Sequence, residues 1–268
     1  MVVIGKPQKK LADYLAEDGT SLRTSLGSRS MSEKTESVRS ELESGSGFVF
    51  FRNMPYHEFL EVSENIGTLQ VQNNKDETIV TVKNRGTKMA EGGRYHQSNE
   101  GGSIHTDSPH WENIVDYVGL YCSQVSHTGG ETLLCDAADV YQEIKQRDPS
   151  LVEVLSKRFY FDKKEYLPGE SKTLYKPILF RENDQFCFRY LRDYVESGHQ
   201  LEGKKLSNIQ TLALNCLDEA IRNNTVEYRL QKNDAIIFNN LRVFHGRLSY
   251  TDSEKLTRNL KRIWLCKH

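Results

Sequence analysis

The chain has 268 residues, enough for one large domain or two small ones. Its 36 basic and 37 acidic residues leave a formal net charge of −1, so charge balance gives no reason to expect nucleic acid or an anionic membrane as partner. Hydrophobic residues make up 37% and no apolar run approaches the ~20 residues of a membrane span, so a soluble globular protein is expected.

The opening stretch, MVVIGKPQKKLADYLAEDG, has basic residues after a short apolar start and no long apolar core, which does not read as a secretory signal. The cysteines Cys122, Cys135, Cys187, Cys216 and Cys266 are scattered, odd in number and without a CxxC pair. Together these features predict a cytoplasmic protein with reduced thiols, buried in strands and one helix, and no cysteine zinc site. Residues 20–47 are rich in Ser, Glu and Gly, with a polar helix predicted from about Ser32 to Ser44 and closed by Gly45. Residues 1–45 are read as a polar, partly helical extension and residues 46–268 as the main domain.

GFVFFRN then reads as a buried strand, PYHEFLEVSENIG as a helix with Pro55 near its start, and ETIVTVKN as an alternating strand. Residues 84–104 form a long loop, a feature that in a compact domain is either functional or disordered. DYVGLYCSQ and ETLLCDA are strands joined by VSHTGG, and Asp136 is the N-cap of a short helix, DAADVYQEIKQRD. Residues 161–177 read either as a lid or as exposed loop. KPILFRENDQFCFRY reads as two strands around an Asn183–Asp184 turn. The strongest helix is LSNIQTLALNCLDEAIRNN, where Ser207 and Gln210 make a capping box and Ile209, Leu212, Ala213, Cys216, Leu217 and Ala220 form the apolar stripe. VEYRLQKNDAIIFNNLRVFHGRLSY and LKRIWLCKH close the chain as strands. Strands this short and this seldom separated by helices favour a β-sandwich or jelly roll with helices outside it over a parallel βαβ sheet.

SIHTDSPHW, residues 103–111, follows the long loop and places His105 and Asp107 two apart. On a strand both side chains point the same way, offering a nitrogen and a carboxylate to one ion. Alone, the pair suits ordinary polar strand-end residues better than a metal site. His245, after a hydrophobic strand and a polar turn in DAIIFNNLRVFHGR, supplies the missing ligand, and TRNLKRIWL adds Arg258 and Arg262. Two histidines and one carboxylate make the facial triad of non-haem Fe(II) oxygenases, which leaves three metal positions open. A bidentate keto acid such as 2-oxoglutarate takes two, O2 the third, and a guanidinium fork suits the far carboxylate.

With these residues in order, the chain resembles the taurine-dioxygenase-like (TauD/TfdA) family of Fe(II)/2-oxoglutarate-dependent oxygenases. HTD at 105–107, GGETLLCDAADVY at 129–141, NNLRVFHGR at 239–247 and RNLKRIWL at 258–265 carry the likeness, which covers roughly residues 46–268. The resemblance implies a mainly β domain with peripheral helices, a double-stranded β-helix (cupin-like jelly roll), over 46–268. It implies that His105, Asp107 and His245 ligate iron, that Thr132 and Arg258 hold the distal carboxylate of 2-oxoglutarate, and that Arg262 lies near the substrate or the other carboxylate. The implied chemistry couples decarboxylation of 2-oxoglutarate, to succinate and CO2, with hydroxylation of an unactivated C–H bond. Because Asp107 occupies the carboxylate position, halogenation is disfavoured.

Gln97 and Asn99, in the loop feeding the metal motif, are candidate substrate contacts, and so is His110. Each has a plainer reading: solvated loop for the first two, and a surface or satisfied core histidine for His110. Trp111 either packs the barrel or walls the pocket, and Arg189 and Arg192 either meet a substrate carboxylate or serve the surface. His57, His127 and His199 read as helix-surface or loop residues. The expected substrate is small and polar, an amino acid or a natural-product intermediate, with neither nucleic acid nor membrane as partner. Desaturation, epoxidation or cyclisation would use the same cofactors. A zinc hydrolase would use the same ligands without Arg258 or O2.

Overall fold

The computed structural model describes residues 30–88, 95–182 and 184–268. The Asn183 half of the expected turn and part of the 84–104 loop lie outside them. Helix α1 (Met31–Glu43) starts at the Ser30 capping box with Glu33, one residue before the predicted start. Strand β1 (Phe48–Phe51), helix α2 (Tyr56–Ile66) and strands β2 (Gly67–Leu69) and β3 (Ile79–Val82) follow.

Two sheets form the double-stranded β-helix. The larger joins β1, β2 and β3 with β4 (Tyr117–Gln124), β12 (Ala235–Asn239) and β15 (Asn259–Lys267) in the order β1-β12-β4-β15-β2, with β3 also on β15. The smaller has the order β11-β6-β13, from β11 (Val226–Tyr228), β6 (Thr132–Asp136) and β13 (Val243–Arg247). A short pair, β5 (Thr128–Gly129) and β14 (Tyr250–Thr251), lies beyond them. All these pairings are antiparallel.

Period-2 alternation divides the side chains among three layers of core. Between the sheets lie Phe48, Val118, Leu120, Leu134, Ile236, Phe238, Val243, Leu260 and Trp264. The other face of the larger sheet packs Val49, Ile237 and Ile263 against Val38 and Leu42 of α1 and Phe59 of α2. The other face of the smaller sheet packs Cys135 and Phe244 against helices. These are α3 (Ala137–Arg147), α4 (Pro149–Leu155), α5 (Arg192–Leu201) and α6 (Asn208–Asn223). Two hairpins, β7 (Arg158–Asp162) with β8 (Thr173–Pro177) and β9 (Leu179–Glu182) with β10 (Gln185–Phe188), complete that side. All five cysteines are free thiols, four of them buried.

Several expectations need amending. Within residues 161–177, 161–162 and 173–177 belong to the hairpin β7–β8, and 163–172, nearly all exposed, form its connection. In α6 the capping box forms, but Ile209 and Leu212 are 45% and 52% exposed, and the buried face instead includes Leu214 and Ile221. Ile209 and Leu212 therefore lie on the uncovered face of α6. His199 is buried, with Nδ1 2.8 Å from Lys204 O. Asp136 caps α3 as predicted, its side chain accepting from Ala138 N.

The turn between β12 and β13, Asn240–Arg242, ties the helical layer to the sheets. Arg242 donates to Leu42 O, Glu43 O and Gly45 O, and Asn239 also donates to Leu42 O. The last carbonyls of α1, which have no partner within a helix, are thus satisfied from the barrel. No described helix is long and apolar enough to cross a membrane.

Candidate metal and cosubstrate site

Backbone pairing brings the two histidines together. His105 N donates to His245 O and His245 N to His105 O, both at 2.8 Å, so the residues face each other across an antiparallel bridge. Their rings lie 4.6 Å apart. Asp107, two residues on, projects to the same side. Its carboxylate oxygen completes a buried group in which His105, Asp107 and His245 each offer one atom, all within 4.8 Å of one another. His105 Nε2 and His245 Nε2 are each 3.6 Å from an Asp107 oxygen, too long for hydrogen bonds but close enough to share one ion.

The groups around the triad orient it. Ser103 O can only accept, so the 2.8 Å contact with His105 Nδ1 fixes the proton there and leaves Nε2 free to ligate. Asn240 Oδ1 accepts from Asp107 N, while its Nδ2 donates to Asp107 O and Val115 O. Trp264 Nε1 donates to Asp107 Oδ2 at 2.7 Å, and Arg262 Nη1 lies 3.3 and 3.4 Å from the two oxygens. Burial works against the Asp107 charge, but Arg262 and the two histidines hold its pKa well below the ordinary value. Burial pushes the His245 pKa down, against the pull of Asp107. An ionised carboxylate and a neutral imidazole are the forms a divalent metal requires, so these donors fit Fe(II).

Arg258 is 4% exposed; burial, with Arg247 nearby, lowers its pKa to about 10. It borders a cleft lined by Gln124, Ser126, Gly130 and Arg229. Gly130 lies against it: a Cβ there would sit 3.1 Å from Arg258 Nε. Thr132 is buried on β6, two residues from Leu134 of the inter-sheet core and so on the inner face.

The remaining candidates are dispersed. Arg262 reaches the metal carboxylate and also donates to Gln72 Oε1. Asn99 donates from Nδ2 to Tyr250 O, and Gln97 lies on a short 3-10 turn whose carbonyl accepts from Arg85 N and Thr87 Oγ1. His110 packs against Trp111 and Tyr194. Its pKa is lowered to about 4 by burial, although the charges of Asp107, Asp162 and Glu165 favour the cation. Trp111 packs edge-on against Trp264 at 5.0 Å. Arg189 is spent on Pro109 O, Trp111 O and Glu112 O, and Arg192 on Glu196 and Asp218. Both are structural, because the chain itself supplies their acceptors.

Sequence reasoning missed Asn240, Trp264 and Arg247 as site groups and placed Tyr95 only in the loop feeding the metal motif. Trp264 and Arg247 were within reach of period-2 alternation, being two residues beyond Arg262 and His245. Tyr95 stands edge-on to His105 at 5.8 Å and donates to Arg247 O. A Cβ at Gly102 would collide with its ring. Nothing in the sequence marks Asn240 as the residue that grips Asp107.

A family model described as "Taurine catabolism dioxygenase TauD, TfdA family" matches residues 10–264. The chain is 28% identical over 245 residues to FR-33289 synthase of Streptomyces rubellomurinus, covering 84% of this chain and 70% of that protein. It is 24% identical over 231 residues to a uridine-5'-phosphate dioxygenase of a Streptomyces species, covering 77% and 78%. Among solved structures, an asparagine oxygenase in complex with Fe(II), 3-hydroxyasparagine and succinate superposes with a TM-score of 0.69 at 16% identity, covering 94% of this chain and 84% of that one.

Proposed function

Because the chain belongs to the TauD/TfdA family of Fe(II)/2-oxoglutarate-dependent dioxygenases, we propose that it hydroxylates an unactivated C–H bond of a small polar substrate. An amino acid or a natural-product intermediate is the class proposed. Fe(II) is the cofactor, and 2-oxoglutarate and O2 are the cosubstrates. The buried His–Asp–His cluster carries this reading.

In it, His105, Asp107 and His245 hold the iron, and Thr132 and Arg258 receive the distal carboxylate of 2-oxoglutarate. When bound, the iron supplies the decarboxylation of 2-oxoglutarate, to succinate and CO2, that drives attack on the substrate C–H bond. The protein's own part is positional. Ser103 and Asn240 aim two ligands, Arg262 and Trp264 keep Asp107 ionised and oriented, and the inter-sheet core excludes water. Relatives that include an asparagine oxygenase and a uridine-5'-phosphate dioxygenase support a small polar substrate. On the substrate side we place His110, with Arg262 and Gln97 as further contacts, whereas Asn99 spends its amide on Tyr250 O.

Anaerobic addition of Fe(II) and 2-oxoglutarate is expected to give a weak visible charge-transfer band that His105→Ala and His245→Ala both lose. Succinate release, screened against amino acids and related metabolites, should accompany a product heavier by one oxygen. Full hydroxylation by Asp107→Gly would overturn the ligand assignment. A product lighter by two hydrogens would replace hydroxylation with desaturation or cyclisation. Zinc-supported hydrolysis without succinate release would overturn the oxygenase reading.

A further inference from the structure

Arg247 is a buried cation beside the cosubstrate residues, with no role yet assigned. It follows His245 by two positions on β13, so both share the face turned toward the larger sheet, roughly 7 Å apart along the strand. In the smaller sheet it lies directly opposite Thr132, as His245 lies opposite Leu134. Arg247 and Arg258 are each 4% exposed. Among the described residues, each leaves Nη1 buried without a hydrogen-bond partner, and no carboxylate forms an ion pair with either. The two guanidinium groups flank one ring, at 4.9 and 5.1 Å from the centre of Tyr250.

Two unpaired like charges are costly to bury. Cation–π contacts of Arg247 with Tyr95 and Tyr250 offset part of that cost but satisfy no N–H. The rest of the Arg247 fork is fixed, with Nε donating to Leu248 O and Nη2 to Glu100 O. Its free edge is therefore held in place before any ligand arrives. A paired set of guanidinium forks and a threonine hydroxyl on one inner face matches a carboxylate.

We propose that Arg247 is a second cationic arm which, with Arg258 and Thr132, cradles the distal carboxylate of 2-oxoglutarate and selects a dicarboxylic keto acid over a monocarboxylic one. This rests on the cosubstrate reading above. The test is calorimetric titration of the Mn(II)-loaded protein with 2-oxoglutarate and with 2-oxopentanoate, which has the same carbon count but no distal carboxylate. Wild type should prefer 2-oxoglutarate. Arg247→Gln should shrink that preference on the order of tenfold or more, by weakening 2-oxoglutarate alone, and Arg247→Lys should keep part of it. Should Arg247→Gln not fold, Arg247→Lys still decides, since a shorter ammonium cannot reproduce the fork. An unchanged preference in the folded variants overturns the proposal, as does an equal loss for both acids, which is the signature of a structural role. If Arg258→Gln loses the preference while Arg247→Gln keeps it, the cosubstrate reading stands and Arg247 alone is removed from it. A wild-type protein that binds neither acid overturns both.

Discussion

Asp107 keeps its charge in a buried place because two donors from β15 converge on it. Arg262 supplies the counter-charge and Trp264 the shortest hydrogen bond, at 2.7 Å. The tryptophan also serves as packing, edge-on against Trp111 and beneath the Arg262 guanidinium at 4.7 Å. Trp264→Phe keeps the ring and removes only the N–H, separating these roles. Orienting partners of metal ligands are worth about 10–100-fold in affinity. Anaerobic Fe(II) titration should therefore show a loss of roughly that size in Trp264→Phe, with the circular dichroism spectrum unchanged. Wild-type affinity in this variant would show that the bond does not aim the carboxylate.

At the scale of elements, the glycines at the turn from β5 into β6 decide where Arg258 can lie. Gly129 and Gly130 have φ of +67° and +81°, the left-handed region that favours glycine. A Cβ on Gly129 would run into the Ser249 carbonyl, which is backbone and cannot turn aside. On Gly130 it would press on Ser126 Oγ at 3.0 Å and Arg258 Nε at 3.1 Å, both of which can give. Gly129→Ala is thus expected to lower stability by about 1–3 kcal/mol in urea unfolding. Gly130→Ala should lose less stability but bind 2-oxoglutarate more weakly, because the cation is displaced. The opposite ranking in the two assays would contradict this division. Strands and caps of this kind were legible from alternation and residue type, as Ser207 and Asp136 demonstrate. Helix α5 and hairpin β7–β8 were missed because their charged residues hide a short apolar period. Helix α4 had a signal that went unused, Asp148 capping Ser150 N just before Pro149.

For the whole molecule, burial of an uncharged histidine makes stability depend on pH. His110 is held at a pKa of about 4, against 6.5 for a free imidazole, by burial. The folded-state value is the lower one, so between those limits the unfolded chain binds a proton that the folded chain refuses. Stability therefore rises with pH across this window: it is full above about pH 6.5 and is lost progressively down to about pH 4. His245, lowered for the same reason, acts with the same sign. Replacing His110 by phenylalanine should reduce the slope of unfolding free energy against pH by up to about 1.4 kcal/mol per pH unit in that range. Urea melts of both metal-free proteins from pH 4.5 to pH 7.5 test this, and parallel slopes would mean that His110 titrates normally.

The chain's own pattern determined a β-sandwich or jelly-roll class, the capping residues and the His105–Asp107 pair, because these depend on spacing within a strand or turn, whereas the double-stranded β-helix and the place of His245 as third ligand followed from the resemblance to the family. It could not decide which polar side chains are free for chemistry, since that depends on acceptors far away in sequence. Arg189 is consumed by carbonyls near residue 110, Asn99 by Tyr250 and Arg192 by Asp218, while Arg247 and Arg258 come together with free N–H groups. Arg262 and Trp264 meet Asp107 across 155 and 157 positions. Only the closure of two sheets over one interior brings such groups into contact, because hydrogen bonds and ion pairs act over a few ångströms and the sequence records no distances.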